Sequence, residues 1–198
     1  GDHDFITVEA SGEVVTRDTT GVCGPHQGFA PLWLFAQETP LTAAGEGIRE
    51  LAASASKGTD IERLHGLMGT IGERVAYKPG ATTVMTPAEE ALALKTGVCQ
   101  DHSHIFAAAA RAMGFPARYI SGYLMMDAAV QQAASHAWAE AHVPGLGWVA
   151  FDAANGISPD ERYVRVATGR DYRDASPVSG IRLGQAQEQL AVTVTVEQ

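Results

Sequence analysis

An α+β fold is predicted by the order in which two hydrophobic periods follow each other along this 198-residue chain. Apolar residues recur at helical spacing from about Leu41 to Gly114, and strict alternation takes over from Ala117 onward. The tight-turn sequence Pro144-Gly145-Leu146-Gly147 joins two of the later strand-like runs directly, which makes them antiparallel neighbours and leaves no room for a crossover helix. Helices first and antiparallel strands afterwards is the order of an α+β domain, not of a parallel βαβ array.

The opening run "FITVEASGEVVTRD" alternates β-branched and polar residues around Ser11-Gly12, the pattern of a short hairpin. A Gly/Pro-containing loop, "GVCGPHQGFAPLWLF", leads to a helix from about Leu41. A second helix starts at Thr59: Thr59 and Glu62 have capping-box spacing, and Ile61, Leu64, Leu67, Met68, Ile71 and Val75 form one apolar stripe. A third begins at Thr86-Pro87-Ala88-Glu89, with Pro in the first turn and Glu three residues after Thr, and ends between Lys95 and Gly97. The fourth restarts near Cys99, turns Ile105, Phe106, Ala109 and Met113 to one face, and stops at Gly114 and Pro116. Strands are then expected over "ARYISGYLMM", "HAWAEAHV", "GWVAFDA", "RYVRVATG" and "LAVTVTV".

Composition narrows the function. Twenty-three acidic against fourteen basic side chains leave a formal charge of -9 with no basic run, which argues against nucleic acid as a partner. No stretch approaches the roughly 20 apolar residues of a membrane span, so no membrane partner is expected. Two cysteines, Cys23 and Cys99, are too few for a disulfide scaffold; a reducing, cytoplasmic setting is the expectation.

The chemistry-bearing stretch is "TGVCQDHSHIF". A cysteine at a helix start is favoured as thiolate, because free N–H groups and the helix dipole stabilise the anion. A thiol nucleophile needs a base, and "SHAWAEAHV" sets His136 at a strand start, on one face with Trp138 and Glu140. The base needs an orienting acceptor. Asp152 closes the next strand before the Asn155-Gly156 turn, where a hairpin sets it beside His136, and its carboxylate is expected to accept the Nδ1–H.

The blocks "GVCQDHSHI", "SHAWAEAHVPGLGWVAFDAANG" and "GRDY", in this order, resemble the transglutaminase-like superfamily, in particular its bacterial branch of transglutaminase-like cysteine proteases. The likeness runs from about Thr59 to about Asp174. It implies a papain-like core with the nucleophile helix packed on an antiparallel sheet, and a catalytic set of Cys99 as nucleophile, His136 as base and Asp152 as orienter. It divides the chain into residues 1–40, a short β-like remnant of the β-rich domain that family members carry, and a transglutaminase-like catalytic core over residues 41–198. The implied activity is thiol-dependent hydrolysis or acyl transfer at peptide or protein amides through a thioester, with protease or amidase favoured over transglutaminase. The family's "DPTN" stands here as Asp152-Ala153-Ala154-Asn155.

Around this set, the Cys99 N–H is a first oxyanion donor, and Tyr77, at the family's aromatic position before the nucleophile helix, is named as a second. His102, one turn after Cys99, shares its face and is expected to shape the site; Asp101 stabilises the helix start; Cys23 is structural. No cofactor or metal is called for, and no calcium loop occurs. Two other classes remain: a non-catalytic peptide-binding module on the same fold, and a zinc site from Cys99, His102, His136 and His142.

Overall fold

The computed structural model of the chain describes residues 7–125, 131–132, 135–176 and 194–195. The predicted α+β class holds, with helices packed on an antiparallel sheet. In chain order the elements are β1 (Val22–Gly24), a 3-10 turn (Leu32–Ala36), α1 (Glu46–Ser54), α2 (Asp60–Arg74), β2 (Ala76–Tyr77), α3 (Ala88–Leu94), β3 (Thr96–Gly97), α4 (Cys99–Ala112), β4 (Ala117–Leu124), β5 (Gln131–Gln132), β6 (His136–Val143), β7 (Gly147–Phe151), β8 (Tyr163–Gly169) and β9 (Val194–Thr195). Five strands form the main sheet in the order β1-β7-β6-β4-β8, all antiparallel to their neighbours. Among the described residues, no helix is long and apolar enough to cross a membrane.

The expected hairpin around Ser11-Gly12 does not form: residues 7–18 carry no regular structure. Val8, Val14 and Val15 are exposed with no apolar surface to cover, and a lone hairpin is marginal in water. The first strand among the described residues is instead Val22–Gly24, paired with β7. Of the run "LAVTVTV", only Val194 and Thr195 lie among the described residues, paired with Gln132 and Gln131.

A local signal sets the start of α2 and a tertiary contact that of α1. Thr59 caps α2 through the predicted box: its hydroxyl accepts the Glu62 N–H, and Glu62 accepts the Thr59 N–H at 2.8 Å. Thr86 and Glu89 do not repeat this at α3. The Thr86 hydroxyl accepts the Thr83 N–H, and the Glu89 carboxylate reaches α1, taking the N–H groups of Gly47 at 2.7 Å and Ile48 at 3.0 Å. Glu89 thus satisfies orphan donors of a different helix, which is why α1 begins at Glu46 and not at Leu41.

The core lies between α4 and one face of the sheet. Ala107 to Ala110 on the helix and Ala139 and Ala141 on β6 are buried, and small side chains on both surfaces let the helix lie close to the strand. Phe106 stacks on Phe151 at 4.9 Å between ring centroids. Cys99, at the first residue of α4, packs against Tyr119 and Ala137, so the helix start stands at the end of β6 where His136 begins. At the other end of α4 the buried Arg111 guanidinium donates to the carbonyls of Phe35, Ala117 and Arg170 and to the Thr42 hydroxyl, locking the helix to three segments.

Gly122 sits where β8 and β6 crowd β4. A Cβ there would lie 2.1 Å from the Val164 carbonyl oxygen and 2.7 Å from the Trp138 ring. Gly122→Ala should therefore cost about 1–3 kcal/mol, the usual penalty of forcing atoms into a packed interior. Urea denaturation checks this; an Ala variant as stable as wild type would mean that β8 is free to move away.

Candidate active site

Cys99 takes the first helical position of α4, and the chain enters it on the extended residue Val98. Asp101 Oδ2 accepts the Val98 N–H at 2.7 Å and the Thr82 hydroxyl at 2.7 Å, pinning the first turn of the helix to the preceding loop. The parallel pair β2–β3 sets Tyr77 beside Gly97, two residues before the cysteine, and the Tyr77 hydroxyl interacts with the Cys99 side chain. Burial, then the neighbouring cysteine, raise the Tyr77 pKa.

His136 and Asp152 face each other across the hairpin of β6 and β7. The His136 Nε2 lies 2.6 Å from Asp152 Oδ2, and the imidazole also interacts with the Cys99 side chain. The nitrogen on the carboxylate is therefore Nε2, not the Nδ1 that the sequence reading assigned to it. That reading followed the serine-protease arrangement; here Nδ1 is the nitrogen left for the thiol. Trp138 stacks near the ring at 6.3 Å and Tyr163 lies at 5.9 Å, so aromatic walls limit how it can turn.

Asp152 is fully buried, and five donors converge on its carboxylate. His136 Nε2, the Asn155 Nδ2 at 2.7 Å and the Tyr163 hydroxyl at 2.8 Å meet Oδ2, while the N–H groups of Ala154 and Asn155 meet Oδ1 at 3.0 and 3.2 Å. Burial alone would raise the Asp152 pKa; the bonds from His136, Asn155 and Tyr163 outweigh it and hold the carboxyl below its ordinary value. Burial likewise pulls the imidazole down, but hydrogen bonding to Asp152 and Cys99 and the charges of both raise His136 to about 9. Both directions favour a protonated imidazole beside an ionised carboxylate, with the Cys99 side chain on its other side.

The structure brings Cys99, His136, Asp152 and Tyr77 together. His102 departs from its expected site-shaping role: it is 1% exposed, with Nδ1 on the Val98 carbonyl at 2.8 Å and Nε2 on the Val75 carbonyl at 2.9 Å. Its ring lies under Tyr77 at 6.2 Å and supports that residue from below, with no surface left for a substrate. His142 packs on Trp148, and among the described residues no three of His, Cys, Asp or Glu are grouped to hold a metal, so the four proposed zinc ligands do not converge. The Arg170-Asp171-Tyr172 loop is tied to α4, where His104 Nε2 accepts the Tyr172 N–H at 3.0 Å.

Two further residues donate to the carboxylate, Asn155 and Tyr163. The sequence marks Asn155 as a turn former, and its place in "DAAN" matches the Asn of the family's "DPTN". Tyr163 gave no signal beyond strand alternation. Glu140, placed on one face with His136, is 1% exposed on the sheet face away from α4, paired with Arg118 Nε at 2.7 Å and with Arg165. Cys23 is exposed at the surface, but its Sγ turns inward to 3.4 Å from Glu140 Oε1; partial desolvation of the sulfur and that carboxylate push its thiol up to about 12.

Residues 49–153 match the family model described as the transglutaminase-like superfamily, slightly more than half of the chain. The chain belongs to this superfamily. An uncharacterized protein of Mycobacterium leprae is 39% identical over 128 residues, covering 62% of this chain and 45% of the relative. A protein-glutamine gamma-glutamyltransferase of Pseudomonas aeruginosa is 28% identical over 134 residues, 59% of this chain and 20% of that protein. Among solved structures, a Cytophaga hutchinsonii protein provisionally described as a cysteine protease superposes with a TM-score of 0.68 at 25% identity, covering 84% of this chain and 56% of that one. The chain spans less than half the length of the mycobacterial relatives it matches. These likenesses support a thiol-dependent kind of enzyme and the papain-like class of the fold.

Two outcomes follow from the site's electrostatics. A thiol alkylating agent at neutral pH should label Cys99 far faster than Cys23, read by mass spectrometry on the folded protein, because Cys23 is held as thiol next to Glu140; equal labelling would count against an activated Cys99. The stabilising contribution of the His136–Asp152 pair also has a defined pH window. His136 titrates higher folded than at its ordinary 6.5, so its contribution is complete below 6.5 and fades as pH rises through about 9. Asp152 titrates lower folded than at its ordinary 3.8, so its contribution is complete above 3.8 and fades as pH falls through the lower folded value. Asp152→Ala should accordingly lose most stability relative to wild type between about 4 and 6.5 and progressively less toward pH 9, as measured by thermal unfolding.

Proposed function

We propose that the chain is a cysteine-dependent hydrolase of peptide or protein amides that works through a thioester on Cys99. The observation that carries this reading is the 2.6 Å bond between His136 Nε2 and Asp152 Oδ2, made by a ring that also meets the thiol at the start of α4. His136 holds the proton given up by the thiol before substrate arrives, so the pair is thiolate and imidazolium, and Asp152 stabilises the imidazolium and fixes the ring. The thiolate attacks the amide carbon, and charge moves to the carbonyl oxygen, where the Cys99 N–H and the Tyr77 hydroxyl are the donors within reach. Collapse of the intermediate breaks the C–N bond while His136 gives its proton to the leaving amine. Water, deprotonated by His136, then cleaves the thioester and returns free thiol and carboxylic acid.

Hydrolysis is favoured over transfer to an amine because the site stands open to water: Cys99 is partly exposed, and Asn155, next to the imidazole, is exposed. The Cytophaga hutchinsonii structure supports the protease reading, and the Pseudomonas aeruginosa transferase supports thioester chemistry with a different acceptor.

A library of peptide amides, run with and without an added primary amine, tests the reaction. Free acid as the main product, lost in Cys99→Ala, is the expected result; amine adducts as the main product would make the protein a transferase. At Asp152, the Ala variant should lose nearly all activity. Asp152→Asn, which keeps an acceptor oxygen, should fall between Ala and wild type, since the corresponding change costs about 10⁴ in serine proteases but a preformed thiolate depends less on proton removal during attack. An Ala variant as active as wild type would remove Asp152 from the mechanism.

A further inference from the structure

The pairing of β4 with β8 slips by one residue beside the candidate site. Ser121 pairs with Ala167 and Gly122 with Arg165, so Val166 is an extra residue with no partner across the ladder. Strand neighbours alternate faces, and an extra residue reverses the phase of everything beyond it. Thr168 pairs with Ile120 and so shares the sheet face that carries Trp138 and Ile120. Uninterrupted alternation from Thr168 would turn Val166 and Val164 to that face and send Tyr163 to the other. The bulge does the reverse: Arg165 and Tyr163 share the face of Trp138, and Arg165 reaches Glu140 there.

Gly122 permits this close passage, because β8 brings the Val164 carbonyl to where any other residue would hold its Cβ. The result is a buried phenol, 7% exposed, whose ring packs on Trp138 at 5.3 Å and on His136 at 5.9 Å and whose hydroxyl meets Asp152 Oδ2 at 2.8 Å. That oxygen is the one that receives His136 Nε2.

We propose that Tyr163 is a positioning residue for the His136–Asp152 pair, aimed by the β8 bulge so that its hydroxyl shares Asp152 Oδ2 with the imidazole and tempers the carboxylate's hold on the imidazolium proton. The inference rests on the reading of Cys99, His136 and Asp152 as a catalytic set. The neutral donor withdraws negative charge from Oδ2, so the imidazolium is bound firmly enough to persist and loosely enough to give its proton to a leaving amine. Asn155 donates to the same oxygen but is exposed, where water can replace it; the buried phenol has no such substitute. The Tyr163 proton itself stays put, because burial, then the adjacent carboxylate, raise the phenol far above its ordinary value.

Tyr163→Phe isolates the hydroxyl, since it keeps the ring against Trp138 and His136. The test follows the rate of Cys99 alkylation by iodoacetamide across pH in wild type, Tyr163→Phe and Asp152→Ala, each checked for an unchanged circular-dichroism spectrum. Loss of one neutral donor should let Asp152 hold the imidazolium longer, moving the alkaline inflection of Tyr163→Phe upward by about half a unit, a threefold change in proton affinity. Asp152→Ala should move the inflection down toward the ordinary imidazole range. An inflection in Tyr163→Phe that stays or falls, with Asp152→Ala shifted as expected, overturns the role of Tyr163 and leaves the catalytic set standing. An Asp152→Ala profile identical to wild type overturns the catalytic set itself, and the proposal with it. A fall in melting temperature alone, without the upward inflection, makes Tyr163 a packing residue and likewise overturns the proposal.

Discussion

An ionised carboxylate with no exposed surface is sustained only by the donors around it, and the architecture of this chain converges on supplying them to Asp152. The turn after β7 contributes two backbone N–H groups and the Asn155 side chain, β6 contributes the imidazole, and β8 contributes the phenol. Three separate segments must therefore be in register before the carboxylate is satisfied. The same requirement raises His136, because the carboxylate that needs a donor is the one that stabilises the imidazolium. Helix α4 delivers the thiol to this pair by packing its alanines on those of β6, so the chemistry depends on how closely a helix can approach a strand.

The two cysteines show how environment separates identical side chains. Cys99 sits at a helix start within reach of an imidazole; Cys23 lies beside Glu140, which holds its proton in place. The sheet divides these settings. One face meets α4 and the nucleophile, while the other carries Glu140, Arg118, Arg165 and Tyr163. His136 and Asp152, at strand ends, join the two sides.

Much of this was legible in the sequence where short-range chemistry decides it. The capping box at Thr59, the helix from Cys99, the strands over residues 117–124, 136–143, 147–151 and 163–169, and the spacing that sets His136 against Asp152 are all local patterns. Long-range partners were not legible. Glu89 carries the signature of a cap for its own helix yet caps α1, and the valines around Ser11-Gly12 read as a hairpin but have nothing to cover. Tyr163 was hidden for a sharper reason: simple alternation along "RYVRVATG" misplaces it, because one unpaired residue reverses the phase. His102 shares a helix face with Cys99, but its ring is buried between the Val98 and Val75 carbonyls, beneath Tyr77. The imidazole nitrogen facing Asp152 followed from side-chain direction, which spacing does not carry.

With its pKa raised, His136 is expected to be protonated at neutral pH, held by Asp152 on one nitrogen and facing Cys99 with the other. Nitrogen-15 NMR of the histidine side chains, assigned with His136→Ala, reads this directly across a pH titration. The expected result is a His136 ring protonated on both nitrogens at neutral pH, with a midpoint of about 9 that falls in Asp152→Ala. A His136 that is neutral at pH 7, titrating near its ordinary 6.5 in wild type and Asp152→Ala alike, would contradict it.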